Sequence, residues 1–263
     1  MMSERARVRV ERRGWVLAIL LDRPEKRNAA DFRLLRELAA AYGMLDRDPT
    51  LRVGLVLAEG AHFTAGLDLA DIGPRLTVGG LDFVPEGGLD PWGLRTRPVT
   101  KPVVMGVQGT CLTLGIELAL ASDVVLTEES ARFGQIEVTR GILPFGGATL
   151  RFPRVAGWGN ALRWILTGDE FDATEALRIG LVQEIVADGT VGHAADALAA
   201  RIAAQAPRAV QAALANARLA VAGSEAEAAA ALPEELERLA ASDDAAIGMR
   251  AFLARSTAEF TGR

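Results

Sequence analysis

The stretch from Val103 to Leu126 is the most apolar in the chain, and it constrains the fold more than any other. It is long enough to raise the question of a membrane-spanning helix, which needs about 20 predominantly apolar residues. Gln108, Glu117, Ser122 and Asp123 interrupt it, as do three glycines. An interrupted run of this kind reads instead as buried strand, helix and strand, with strands over Val103–Val107 and Val124–Leu126 and helical sequence over Gly115–Ala121.

The same alternation runs through the chain. Arg7–Val10 and Trp15–Leu21 read as strands around a turn at Gly14, a β-hairpin. Asp31 is placed to cap a helix carrying Leu34, Leu35, Leu38 and Tyr42 on one side. Val53–Ala58 is a short buried strand. Asp172 with Glu175 three residues later resembles a capping box, Gly180 stops that helix, and Val182–Val186 returns as a strand. Short apolar strands alternating with helices imply an α/β architecture. From Val191 onward the sequence is alanine-rich and helical, punctuated by Pro207, Gly223 and a cap at Ser242–Asp244. This shift divides the chain into a core over residues 1–190 and a helical C-terminal subdomain over residues 191–263. No period of 20–50 residues repeats, which excludes a solenoid. Gly73–Pro102, with five prolines and little periodicity, reads as a long, partly mobile loop.

Half of the 263 residues are hydrophobic, ample for a core, and the net charge of −5 gives no general pull toward nucleic acid or an anionic membrane. Cys111 is the only cysteine, so no intrachain disulfide forms and a reducing compartment is expected. With His62 and His193 it does not make up a zinc site. Met1–Arg13 is polar and arginine-rich, unlike a signal peptide, so a soluble cytoplasmic protein is expected.

Four segments combine turn-forming positions with acidic or amide residues. Leu21–Ala29 is a polar loop between strand and helix, and taken alone it is an ordinary connection. Phe63–Leu69 follows a strand, and its Gly66 permits close backbone approach where N–H groups can meet an oxyanion. Gln108–Leu118 carries Glu117 among Ile116, Leu118, Ala119 and Leu120, and burial there raises a carboxyl pKa toward the range useful for acid–base work. Phe133–Val138, followed by Gly141–Gly147, brings a second carboxylate, Glu137, into apolar company. Either glutamate alone is more often a salt bridge or a cap, but two beside two candidate oxyanion donors point to chemistry. There is no Gly-x-Ser-x-Gly elbow, the histidines lack a partner motif, His62 reads as a surface or supporting residue, and Cys111 as a small core residue.

Arg23-Pro24-Glu25-Lys26-Arg27-Asn28-Ala29, Ala65-Gly66-Leu67-Asp68-Leu69, Gly115-Ile116-Glu117-Leu118-Ala119 and Pro144-Phe145-Gly146-Gly147, in this order and spacing, resemble the crotonase (enoyl-CoA hydratase/isomerase) family. The resemblance spans essentially the whole chain. It implies a spiral of ββα units, a helical C-terminal region used in trimerisation, and a homotrimer or a dimer of trimers. The implied ligand is an acyl-CoA thioester, with coenzyme A part of the substrate and no separate cofactor or metal. Carried over, the oxyanion donors are the backbone N–H groups of Ala65 and Leu114. Lys26, Asn28, Gly66, Leu67, Asp68, Leu69 and Gly115 lie near substrate or CoA, while Phe252 and Arg255 reach the adenine end of a CoA on a neighbouring subunit. Many members carry three glycines where this chain has Thr113-Leu114-Gly115, so the Leu114 side chain is expected to reshape the pocket, whose acyl end the Gly73–Pro102 loop covers. The implied reaction is reversible hydration of a 2-enoyl-CoA, with Glu117 chiefly activating water and Glu137 chiefly protonating C2. An enoyl-CoA isomerase, an acyl-CoA hydrolase and a non-catalytic CoA-thioester-binding protein are the alternatives.

Overall fold

In this computed structural model, residues 5–76 and 81–263 are described. The N-terminal hairpin forms as expected: β1 (Val8–Arg13) pairs antiparallel with β2 (Val16–Leu21), and Gly14 takes a positive φ of 61° in the turn. Asp31 caps α1 (Phe32–Arg47) by accepting the Leu34 N–H at 2.8 Å. The chain then returns as β3 (Val53–Ala58), parallel to β2, and α2 (Leu69–Leu76) follows the Phe63–Leu69 segment. Next come β4 (Val103–Val107), β5 (Thr110–Leu112), α3 (Leu114–Ala121), β6 (Val124–Glu128) and β7 (Arg132–Gly134). The long apolar run is therefore strand, helix and strand, with a further short strand inside it.

The middle of the chain adds α4 (Ala148–Ala156), α5 (Trp158–Thr167), β8 (Glu170–Asp172), α6 (Ala173–Arg178) and β9 (Glu184–Val186). Asp172 caps α6 through the Glu175 N–H at 2.9 Å, but the Glu175 carboxylate turns to Arg178. Only half of the expected capping box is thus present, because an arginine one turn on offers the glutamate a charged partner. Four helices complete the chain: α7 (Val191–Ala203), α8 (Pro207–Ala222), α9 (Glu225–Ala240) and α10 (Asp243–Ala254).

Among the described residues the main sheet runs β1-β2-β3-β4-β6-β9, parallel from β2 onward. Every residue of β2 is buried because the sheet is covered on both faces. Leu17, Ile19 and Leu21 join the cluster that contains Leu34 and Leu38 of α1, while Val16, Ala18 and Leu20 face Val191, Ala195 and Ala199 of α7. A smaller sheet, β5-β7-β8, stands beside the main one, and an isolated bridge from Thr64 to Cys111 joins it to the segment after β3.

Gly73–Pro102 is not irregular throughout. Gly73–Leu76 closes α2, residues 77–80 lie outside the described residues, and Leu81, Phe83, Trp92 and Val99 are buried in the core. Asp90 knots this segment, its carboxylate accepting the N–H groups of Trp92, Leu94 and Arg95 at 2.8–3.0 Å. A network of this kind keeps a strand-less segment in one conformation.

Beyond α7, α8 buries no residue fully and is tied to the core by Arg218, which binds Asp123 at 3.0 Å and the Val99 carbonyl. The C-terminus folds back, with the Asp244 carboxylate accepting Thr261 and Gly262 N–H groups. No described helix is long and apolar enough to cross a membrane.

Candidate active site

Glu117 lies in the first turn of α3, and the residue is only 3 % exposed. Oε1 accepts the N–H groups of Gly146 at 2.7 Å and Ala148 at 3.1 Å, from the turn that opens α4. Glycine at 146 leaves the space that the carboxylate occupies, since a Cβ there would lie 2.4 Å from Glu117 Oε2. Burial raises the pKa of Glu117, while those N–H groups and the positive charge of Arg151 oppose the rise. Arg151, on α4, is fixed by donating to the Trp92 carbonyl at 2.7 Å.

Glu137 opens a 3₁₀ turn over Glu137–Arg140 that Gly141 ends in a left-handed conformation. It is 5 % exposed, and burial together with the nearby Glu117 charge pushes its pKa up to about 7. Gln135 Nε2 donates to its Oε1 at 2.8 Å, and Oε2 is buried without a partner. Each glutamate therefore has one oxygen held by the protein and one with no hydrogen-bond partner among the described residues. Both line one cavity of about 270 Å³, together with Leu67, Trp92, Leu114 and Phe145 among others.

The oxyanion donors need a correction. Ala65 borders the cavity, but its N–H already donates to the Arg27 carbonyl at 2.9 Å, so it is not available to a ligand. Along residues 64–68 the N–H groups of Thr64, Ala65, Gly66 and Asp68 donate to the Thr110 carbonyl, the Arg27 carbonyl, Thr64 Oγ1 and the Ala30 carbonyl. Leu67, between them, has no N–H partner among the described residues and lines the cavity. Leu114 also lines the cavity. It is the first residue of α3, where an N–H has no intrahelical acceptor, and the preceding Thr113 N–H is turned away to Gly134. Leu67 and Leu114 are thus cavity-wall residues whose N–H groups have no acceptor among the described residues, and the second stands at the positive end of the α3 dipole. Gly66 allows this turn with a φ of 93°, where a Cβ would meet Thr113 Oγ1 at 2.3 Å.

Other expected positions divide. Leu69 and the Leu114 side chain are in the cavity wall, and the Trp92 indole N–H donates to the Leu114 carbonyl at 3.2 Å. Gly115 is not in that wall: it faces Thr64 and Cys111, which leave no room for a Cβ, so its role is packing. The Asn28 side chain is fully buried and bonded to Arg23, Glu59 and His62 backbone groups, while its own N–H donates to the Arg23 carbonyl and its carbonyl accepts the Thr64 hydroxyl, so its contacts tie the loop together. Asp68 pairs with Arg23 at 2.8 Å, which keeps its carboxyl below the usual range, and Lys26 is exposed on the loop before α1. Phe252, 79 % exposed, and Arg255 lie at the end of α10, away from this cavity. His62 accepts the Thr110 N–H through Nδ1 at 3.2 Å, a supporting contact, and Cys111 is buried with its thiol pKa raised by burial.

Arg151, Gln135 and the wall residues Phe83 and Trp92 were not singled out by sequence reasoning. The glycine pair before α4 was the signal available for the Glu117 clamp, since an N–H cradle at a helix start needs close approach.

The description "enoyl-CoA hydratase/isomerase" belongs to the family model that matches residues 11–263. Enoyl-CoA hydratase EchA19 of Mycobacterium tuberculosis is 33 % identical over 258 residues, covering 97 % of this chain and 96 % of the relative. A probable enoyl-CoA hydratase/isomerase of Mycobacterium abscessus is 53 % identical and superposes with a TM-score of 0.95 over 98 % of this chain and 99 % of its own. An enoyl-CoA hydratase structure from Mycobacterium tuberculosis H37Rv follows at 36 % identity and a TM-score of 0.89, covering 98 % of this chain and 100 % of its own. With the match running almost end to end and the fold shared, the chain belongs to the enoyl-CoA hydratase/isomerase family and has the crotonase fold.

Proposed function

We propose that this protein is an enoyl-CoA hydratase that adds water reversibly across the C2–C3 double bond of a 2-enoyl-CoA. The observation that carries the reading is that Glu117 and Glu137 line one cavity, close enough for the charge of one to raise the pKa of the other. Relatives named as hydratases at comparable length support it.

Hydration places negative charge on the thioester oxygen as the nucleophile reaches C3. The Leu67 and Leu114 N–H groups are the donors suited to that charge, and loss of one such donor typically costs about 10²–10³ in rate. Glu117, whose carboxylate form is favoured by two N–H groups and Arg151, takes the proton of the attacking water. Glu137, its pKa pushed up to about 7, keeps a substantial acid fraction at neutral pH, and that acid form delivers its proton to C2. Both new bonds form on the face of the alkene that the two carboxyls share, a syn addition, and the same groups exchange roles in reverse.

Coenzyme A enters as part of the substrate, with the Leu67–Leu69 backbone beside its pantetheine arm. Val221, Leu236, Phe252 and Leu253 of α8–α10 are exposed apolar residues, which supports a C-terminal subdomain that carries the contacts of a homotrimer or a dimer of trimers. A cytoplasmic site of action fits a chain with one buried thiol. The test is spectroscopic: crotonyl-CoA and longer 2-enoyl-CoAs lose the absorbance of the conjugated thioester. A folded protein that leaves every chain length unchanged, or that only isomerises 3-enoyl-CoA, overturns the reading.

A further inference from the structure

The cavity carries two cations that hydration itself does not employ. Arg95 and Arg140 both border it. Among the described residues the Arg140 side chain makes no hydrogen bond or ion pair. The Arg95 guanidinium lies over the Phe83 ring at 4.9 Å and is 3.7 Å from Asp90 Oδ2, beyond hydrogen-bonding distance. That oxygen already accepts the Leu94 and Arg95 backbone N–H groups. Both arginines thus line the cavity, and neither guanidinium makes a hydrogen bond among the described residues.

Neither arginine serves the two glutamates. The cation that acts on Glu117 is Arg151, and the groups that shift Glu137 are its own surroundings, Glu117 and Gln135. Apart from the two glutamates and Thr113, the rest of the cavity lining is apolar, Leu81, Phe83, Trp92 and Ile142 included. Planar forks with open donors at the edge of an apolar slot match a carboxylate at the end of a hydrocarbon chain.

We propose that Arg95 and Arg140 hold a carboxylate at the far end of the acyl chain, so that the substrate is the CoA thioester of an unsaturated dicarboxylic acid. The placement is consistent with a short chain. Arg140 is one 3₁₀ turn beyond Glu137, Arg95 follows Trp92, whose indole is bonded to the Leu114 carbonyl, and the cavity is only about 270 Å³. The proposal rests on the hydratase reading and specifies its substrate class. The other anions such a ligand carries are the phosphates of coenzyme A, and the experiment separates the two.

Two 2-enoyl-CoAs of equal chain length, one ending in a carboxylate and one in a methyl group, are compared with the full-length protein and with Arg95→Gln and Arg140→Gln. Free coenzyme A is assayed as a competitive inhibitor of each. The wild type is expected to favour the carboxylate substrate in kcat/KM by roughly tenfold to a hundredfold. Each variant is expected to bring that ratio toward one, chiefly through KM, with the inhibition constant of coenzyme A unaltered. A wild type without preference overturns the proposal while leaving hydration intact. A variant that loses affinity for coenzyme A, or that slows both substrates equally, also overturns it, because the arginines then meet phosphate or only support the wall. Hydration of neither substrate type nor of any alkyl 2-enoyl-CoA is the different result that removes the hydratase reading itself.

Discussion

The Gly146 N–H donates to Glu117 Oε1 at 2.7 Å, and this one bond ties the catalytic turn of α3 to the loop that opens α4. The same glycine leaves no room for a methyl group, which would lie 2.4 Å from Glu117 Oε2 and 2.8 Å from its Cδ. Gly146→Ala is therefore expected to push the carboxylate aside without breaking the fold. A displacement near 1 Å at a reacting group costs roughly 10² in rate, whereas stability is expected to fall by less than about 1 kcal/mol because a flexible side chain yields first. Steady-state kinetics beside urea unfolding check this. Full activity in the alanine variant would place Glu117 outside the reaction.

Removing either carboxyl separates turnover from binding. Glu117→Gln and Glu137→Gln are each expected to lower kcat by about 10²–10⁴, the usual contribution of one positioned proton transfer. Affinity for a non-reactive acyl-CoA, measured by calorimetry, should stay within a few-fold, because the Leu67 and Leu114 N–H groups and the cavity wall remain. Unchanged turnover in both variants would make the protein a CoA-thioester binder.

Glu137 also gives a pH signature with a definite sign. Its folded pKa, about 7, is above the ordinary 4.5, so its contribution to stability is complete below about 4.5 and is lost as pH rises through 7. Glu137→Gln does not ionise and escapes that loss. The variant should therefore gain on the wild type between pH 5 and pH 8, by on the order of 1–3 kcal/mol. Urea unfolding at the two pH values measures the difference directly. Activity should decline over the same range, as the acid form of Glu137 is titrated away. A stability difference that is flat with pH would mean that Glu137 ionises normally.

What the sequence disclosed follows from how strongly each feature is written into local pattern. The strands β2, β3 and β4 were visible as apolar runs, and Asp31 as a cap, because burial on both faces and an orphan N–H each demand a residue type. The three-residue strands β5, β7 and β8 were not, since Thr110–Leu112, Arg132–Gly134 and Glu170–Asp172 are too short to show a period. Glu117 and Glu137 were found through apolar neighbours and a family resemblance. The choice between Ala65 and Leu67 as donor was not legible, because it depends on which N–H the Arg27 carbonyl takes from across the fold. Arg151 was equally hidden, since nothing local in α4 says that its charge falls on Glu117.

Asp90 is the residue on which the far wall of the cavity depends, and its replacement should be felt at a distance. The residue is buried, and its carboxylate accepts the N–H groups of Trp92, Leu94 and Arg95. Asp90→Ala strips all three of their acceptor, and a buried unpaired donor costs about 1–3 kcal/mol. Because part of that segment can relax toward water, a total loss of roughly 2–4 kcal/mol is expected. Loosening Trp92 also releases its bond to the Leu114 carbonyl and its edge-to-face contact with Phe83 at 5.8 Å, so KM should rise. Asp90→Asn keeps one acceptor oxygen and gives an intermediate loss in both measures. The ordering wild type, Asn, Ala in urea midpoint and in KM is the expected result, and an alanine variant equal to wild type would show that the wall holds without this knot.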